Sequence, residues 1–175
     1  MKIVEFRCNH PILREALGRV PEIELEWVQS DISESERRIQ VLLWATGDDF
    51  EAFEATLEAD PTITNPSRRV DIGGRRLYQL DIVDEGYEKS VYPIIVEEAG
   101  VIQALTATQA GWDFRVGFPD NEALSRFFSF CSRHDIPYSI HRIFQERVGD
   151  SDVDGMLTDA QRETLQKGLE IGYFD

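Results

Sequence analysis

Cysteine and histidine stand close together twice in this chain, Cys8 with His10 and Cys131 with His134. Thiolate and imidazole are the groups that hold transition metals or report oxidation, so four of them drawn from two regions could form a metal or redox site. The bland alternative is structural. Cys131 lies on the apolar stripe of a helix, where a thiol behaves as a small buried hydrophobe, and a disulfide is disfavoured in a reducing cytoplasm. Asp150, Asp152, Asp154 and Gly155 reproduce the first half of a calcium loop, with Leu157 at its apolar position. The twelfth position holds Gln161 where a bidentate glutamate should close the site, and an acidic linker accounts for the same letters.

Catalytic constellations are missing. The chain has no phosphate-cradling glycine loop, no nucleophile elbow and no histidine beside a serine or cysteine in a recognisable motif, so enzymatic activity and a bound cofactor are not expected. Paired acids such as Asp48-Asp49 and Glu97-Glu98 arise by chance on an acid-rich surface, and Asp48 has a helix to cap. His141 alternates with Tyr138, Ile140 and Ile143 on a strand pattern without an obvious partner. Trp27, Trp44 and Trp112 also fall in strand patterns, where aromatic side chains pack a core or one sheet face; an exposed one would mark a partner surface or a ligand groove.

The elements that must carry these residues follow from periodicity. Lys2 to Arg7 alternates as a strand, and Asn9 can cap a helix whose stripe is Leu13, Ala16, Leu17 and Val20, ended by Pro21. Ile23 to Val28 and Arg38 to Ala45 read as strands joined by the polar loop Ser30 to Glu36. Asp48 then caps a helix with Phe50, Phe53 and Leu57 inward, and Thr62 to Val70 returns as a strand. The order repeats through Arg76 to Ile82, a helix around Glu88 to Glu98, Val101 to Thr108, Trp112 to Phe118, a helix from Asp120 with Leu124, Phe127, Phe128 and Cys131 inward, and Tyr138 to Phe144. The fold class is therefore α+β: two tandem ferredoxin-like βαββαβ halves, about 1–72 and 73–148, forming a regulatory domain over 1–148. Gly73-Gly74 is a strong hairpin signal that opposes a simple tandem, because it would pair Val70 directly with Arg76. The halves could then share one sheet or be permuted.

After an acidic linker, 149–156, the tail 157–175 reads as one amphipathic helix. Thr158 and Gln161 stand at capping-box spacing, Ala160, Leu165 and Leu169 share a face, and Arg162, Glu163, Gln166 and Lys167 face water. Leu157-Thr158-Asp159, Gln161-Arg162, Leu165 and Gly172-Tyr173-Phe174-Asp175 closely resemble the start of the helix-turn-helix in haloarchaeal bacterio-opsin-activator-type transcription regulators. Gly47-Asp48-Asp49-Phe50-Glu51-Ala52-Phe53 and Gly111-Trp112-Asp113-Phe114-Arg115 resemble the associated N-terminal domain of the same family. The resemblance implies a regulatory domain joined to the first, scaffolding helix of a DNA reader, with Thr158, Gln161, Arg162, Leu165 and Leu169 in that helix. DNA would be contacted by two further helices of such a regulator and by no residue of this fragment.

Charge agrees with that division. Acidic residues outnumber basic ones 33 to 18, for a net charge of −15, and the only lysines are Lys2, Lys89 and Lys167. Such a surface offers no footprint for nucleic acid, and it suits concentrated salt, where charges are screened within ~3 Å at about 1 M. A GC-rich genome yields the same composition. No apolar run reaches membrane-spanning length and no signal peptide is visible, so a soluble cytoplasmic protein is expected. The expected role is regulation by binding a small-molecule effector in a cleft between the halves, or by homodimerising; a ligand-free interaction module and a thiol or metal sensor are the alternatives.

Overall fold

The computed structural model of the chain describes residues 1–146, so the expected linker, the calcium-like Asp150, Asp152 and Asp154, and the tail helix with Thr158, Gln161, Arg162, Leu165 and Leu169 lie outside the described residues. Within them the chain runs β1 (Lys2–Cys8), α1 (Arg14–Arg19), β2 (Glu24–Ser33), β3 (Arg38–Thr46), α2 (Phe50–Ala59), β4 (Ile63–Asp71) and β5 (Arg75–Ile82). It continues through α3 (Asp84–Glu88), α4 (Tyr92–Glu97), β6 (Val101–Thr108), β7 (Gly111–Phe118), α5 (Asn121–Arg133) and β8 (Tyr138–Gln145). All the strands join one eight-stranded antiparallel sheet in the order β4-β5-β3-β2-β6-β7-β1-β8.

That order corrects the simple tandem. The first strands of the two expected halves have changed places: β1 lies between β7 and β8, and β5 lies between β4 and β3. The cause is local. Only Ile72, Gly73 and Gly74 separate β4 from β5, too short a link for anything but a hairpin. Gly73 takes φ +83, a left-handed conformation that glycine adopts without penalty, while the Ile72 amide donates to the Arg75 carbonyl at 3.0 Å. The two four-stranded blocks meet along β2 and β6 through Leu25↔Ala107 and Glu26↔Thr106. Because β1 ends in one block and β2 begins in the other, residues 9–13 and α1 must cross that junction, and α1 packs on α2.

Strand alternation puts one face of the sheet against the helices. Val4, Phe6 and Cys8 of β1 stand opposite Val116, Phe114 and Trp112 of β7, and all are buried. Phe6 stacks on Phe114 with ring centroids 5.0 Å apart and meets Phe127 of α5 at 5.2 Å. The other face is wet. There Arg7 forks onto Asp113 through bonds of 2.8 and 2.7 Å, and Arg75 covers the half-buried ring of Trp44 at 4.5 Å.

Several local expectations are revised. Asn9 does not cap α1; the helix starts at Arg14 behind Leu13, which has no side-chain cap and takes φ 54. Its amide instead donates to Thr62 Oγ1 at 3.2 Å. Asp49, not Asp48, caps α2 by accepting from the Ala52 amide, and Asp120 caps α5 by accepting from Ala123. The loop expected from Ser30 to Glu36 shrinks because β2 runs to Ser33, and the helix around Glu88 to Glu98 splits into α3 and α4, with Pro93 near the start of the second. The stripe of α5 holds at Leu124, Phe127 and Cys131, while Phe128 is half-buried and stacks on Tyr138 at 4.8 Å. No helix of the described residues is long and apolar enough to cross a membrane.

Candidate functional site

Where the chain crosses between the blocks, the segment Asn9-His10-Pro11-Ile12-Leu13 faces the β6–β7 turn and leaves a cleft of about 440 Å³. The loop supplies Asn9, His10 and Ile12, α1 supplies Arg14 and Leu17, the turn supplies Thr108 through Gly111, and Trp112 and Pro137 complete the wall. A smaller lobe of about 180 Å³ shares Asn9, His10, Arg14 and Pro137 and adds Glu85, Lys89 and Asp135. The larger lobe falls in the size range of small-molecule sites, and its wall is strongly polar for such a site, with Asn9, His10, Arg14, Thr108 and Gln109 beside the apolar Ile12, Leu17 and Trp112.

Local bonds hold this wall in place. Trp112 is buried, and its indole Nε1 donates to the Ile12 carbonyl at 3.0 Å. The Asn9 amide donates to the Pro137 carbonyl at 2.9 Å, and Arg14 Nη2 donates to the Asn9 carbonyl. Gly111 takes φ +131, and a Cβ there would stand 2.5 Å from Asn9 Oδ1, so the turn can approach the loop only as glycine. Leu13, left-handed without being glycine, is held by Thr62, whose hydroxyl in turn donates to Asp60 Oδ1 at 2.6 Å. Backbone strain held in place by its surroundings is a recurrent property of binding loops.

His10 is the chemically distinctive member. It is 4 % exposed, lies against Trp112 and Phe114, and its Nδ1 has no hydrogen-bond partner. Burial, with the nearby Arg14 cation adding to it, pulls its pKa down to about 3, so the ring is neutral at physiological pH. Arg14 is exposed and makes no salt bridge among the described residues, whereas Arg7, Arg38, Arg75 and Arg126 each face a carboxylate. The cleft therefore joins a neutral imidazole, an unpaired cation and a buried indole.

The sequence candidates scatter around this cleft. Cys8 and Cys131 both reach the core, reduced and buried, near enough that the charge of one would act on the other. Burial pushes each thiol up to about 12, against the thiolate that metal binding or oxidation requires. His134 caps α5, exposed, with its ring 4.2 Å from Phe130, and so does not join Cys8, His10 and Cys131 inside. Among the described residues no three histidine, cysteine or acidic side chains gather as metal ligands would. His141 does have a neighbour, Asp113, at 3.8 Å, although Arg7 already occupies that carboxylate. Of the paired acids, Asp49 is a cap and Glu98 accepts from Arg126 at 2.8 and 2.7 Å. Arg14, Thr108 and Gln109 carried no signal in the sequence beyond standing beside noticed residues.

A family model described as "BAT: GAF and HTH_10 associated domain" matches residues 12–136. The chain belongs to this family. The match runs from the cleft loop, through both blocks of the sheet, to the residue before Pro137, so it covers most of the cleft wall together with the core beneath it. It agrees with the resemblance carried by Gly111-Trp112-Asp113-Phe114-Arg115, of which Gly111 and Trp112 line the cleft. Its association with helix-turn-helix regulators fits an N-terminal regulatory domain of a transcription regulator. No curated protein matches the chain.

Proposed function

We propose that residues 1–146 are the sensing part of a DNA-binding transcription regulator of haloarchaeal type, and that a small effector in the cleft beside Trp112 biases an attached helix-turn-helix. The part is a binding module and not an enzyme. DNA contact belongs to helices outside it, in a cytoplasmic protein whose surface is adapted to salt. The observation that carries this reading is the cleft: a small-molecule-sized hollow, lined by His10, Arg14 and Trp112, placed where the chain passes from one block to the other. A ligand there would touch the crossing segment and the β6–β7 turn together, so its binding energy would shift the relation of the two blocks, which we read as ferredoxin-like halves with exchanged first strands. The raised thiols of Cys8 and Cys131 favour this reading over redox or metal sensing.

Blocking the hollow tests it. Gln109→Trp in the intact regulator places an indole in the cleft wall from an exposed turn position, and reporter transcription should stop responding while protein level and promoter binding persist. An unchanged response would defeat the reading. Self-association is a second reading, favoured by the wet face of the other block. Trp44 and Leu77 there are only half-buried and Val70 is 39 % exposed, in one cross-strand row. Sedimentation of wild type against Trp44→Ser decides whether that strip pairs two copies.

A further inference from the structure

Resting on the effector reading of the cleft, we infer its ligand class: a small monocarboxylate with an apolar, preferably planar, body. Arg14 is the one ionised side chain in the wall of the larger lobe, since His10 there is neutral. Its guanidinium bonds the Asn9 carbonyl through Nη2 and meets no carboxylate among the described residues, leaving donors in the fork geometry that matches a carboxylate. Lys2, Arg69, Lys89 and Arg133 likewise make no salt bridge among the described residues, but of these cations only Arg14 lines the larger lobe, where a bound anion would pair it.

The rest of the wall sets the charge and shape. With His10 neutral, the lobe offers one positive charge, which balances a carboxylate and leaves a phosphate dianion under-compensated. Glu85 and Asp135 in the smaller lobe offset Lys89 and oppose a second negative group beyond Arg14. On the other side, Ile12, Leu17 and Trp112, all buried, border the lobe as a narrow apolar floor against which the edge of a ring or short alkyl body would rest. The carboxylate end would thus sit at Arg14, where the lobes meet, and the body along Trp112.

Calorimetric titration of the full chain with phenylacetate, phenylacetamide and inorganic phosphate tests the class. Phenylacetate should bind about tenfold or more tighter than its neutral amide, the effect of one charge-assisted pair. Arg14→Gln, at an exposed position, should erase that preference and Arg14→Lys should retain part of it, with circular dichroism reporting the fold. Equal binding of acid and amide, a preference surviving in Arg14→Gln, no binding of phenylacetate, or phosphate competing at equal concentration would each overturn the inference. The reporter arm separates it from the reading beneath. If Gln109→Trp abolishes the response and Arg14→Gln does not, the effector cleft stands and the carboxylate falls; if neither changes the response, both fall.

Discussion

Trp112 Nε1 donates to the Ile12 carbonyl at 3.0 Å, tying β7 to the loop that leaves β1, about a hundred residues earlier in the chain. Both partners are buried and both line the cleft, so the bond holds two of its walls together. Trp112→Phe keeps the apolar contact but leaves that carbonyl unpaired. The expected loss is ~1 to 3 kcal/mol in chemical denaturation, with effector response falling further than stability alone explains.

Burial of His10 has a pH consequence with a definite sign. Its folded pKa of about 3 lies below the ordinary 6.5, so the folded state resists taking up the proton. The stability it supplies is present above pH 6.5 and lost as pH falls towards 3. Urea midpoints measured across that window should fall less steeply in His10→Gln than in wild type. Parallel curves for the two proteins would show that His10 is not buried neutral.

The thiols give an alkaline counterpart. Both folded pKa values lie near 12 against the ordinary 9, so the thiol form is favoured and this contribution is lost as pH rises from 9 towards 12. At pH 8 iodoacetamide should label neither Cys8 nor Cys131 until denaturant is added. Cys131→Ala should lower stability mildly and leave regulation intact, because a thiol on the buried stripe acts by packing. Rapid labelling of the folded protein would revive redox sensing.

Much of the fold was legible because each element repeats its own period. The stripe of α1 and the inward set of β1 follow directly from spacing, and Gly73-Gly74 signalled the hairpin that moves β5 into the first block. The same signal opened the alternative of halves that share one sheet or are permuted, but the place β1 takes in exchange was not legible, since local periodicity describes an element and not its neighbours. The cleft was harder still. Its wall draws on the β1–α1 loop, α1, the β6–β7 turn and the approach to β8, so no single stretch of sequence carries it. Asn9 looked like a cap and His10 like a metal ligand because short polar side chains serve either purpose until the surrounding chain is placed.

The core offers a graded pair. Phe127 is fully buried against Phe6 and Phe118, whereas Phe128 is half-buried beside Tyr138. Phe127→Ala should cost ~3 to 5 kcal/mol in thermal or chemical unfolding, and Phe128→Ala distinctly less. Equal losses would show that α5 packs in a different rotation.

Glycine at 111 is required by geometry as well as by φ. A methyl group there meets Asn9 Oδ1 at 2.5 Å and the Cys8 carbonyl oxygen at 3.2 Å. Gly111→Ala should therefore lower stability by ~1 to 3 kcal/mol and disturb the cleft loop specifically, seen as faster amide exchange at residues 9–13 than elsewhere. Uniform exchange would detach the turn from the loop.

The claim that this domain senses through the Trp112 cleft is tested most directly by reporter transcription from the intact regulator with Gln109→Trp, scored beside promoter occupancy and protein level. The response should be lost while occupancy and abundance stay at wild-type values. A full response with the cleft filled would contradict the account, and regulation would then have to pass through another surface of the sheet.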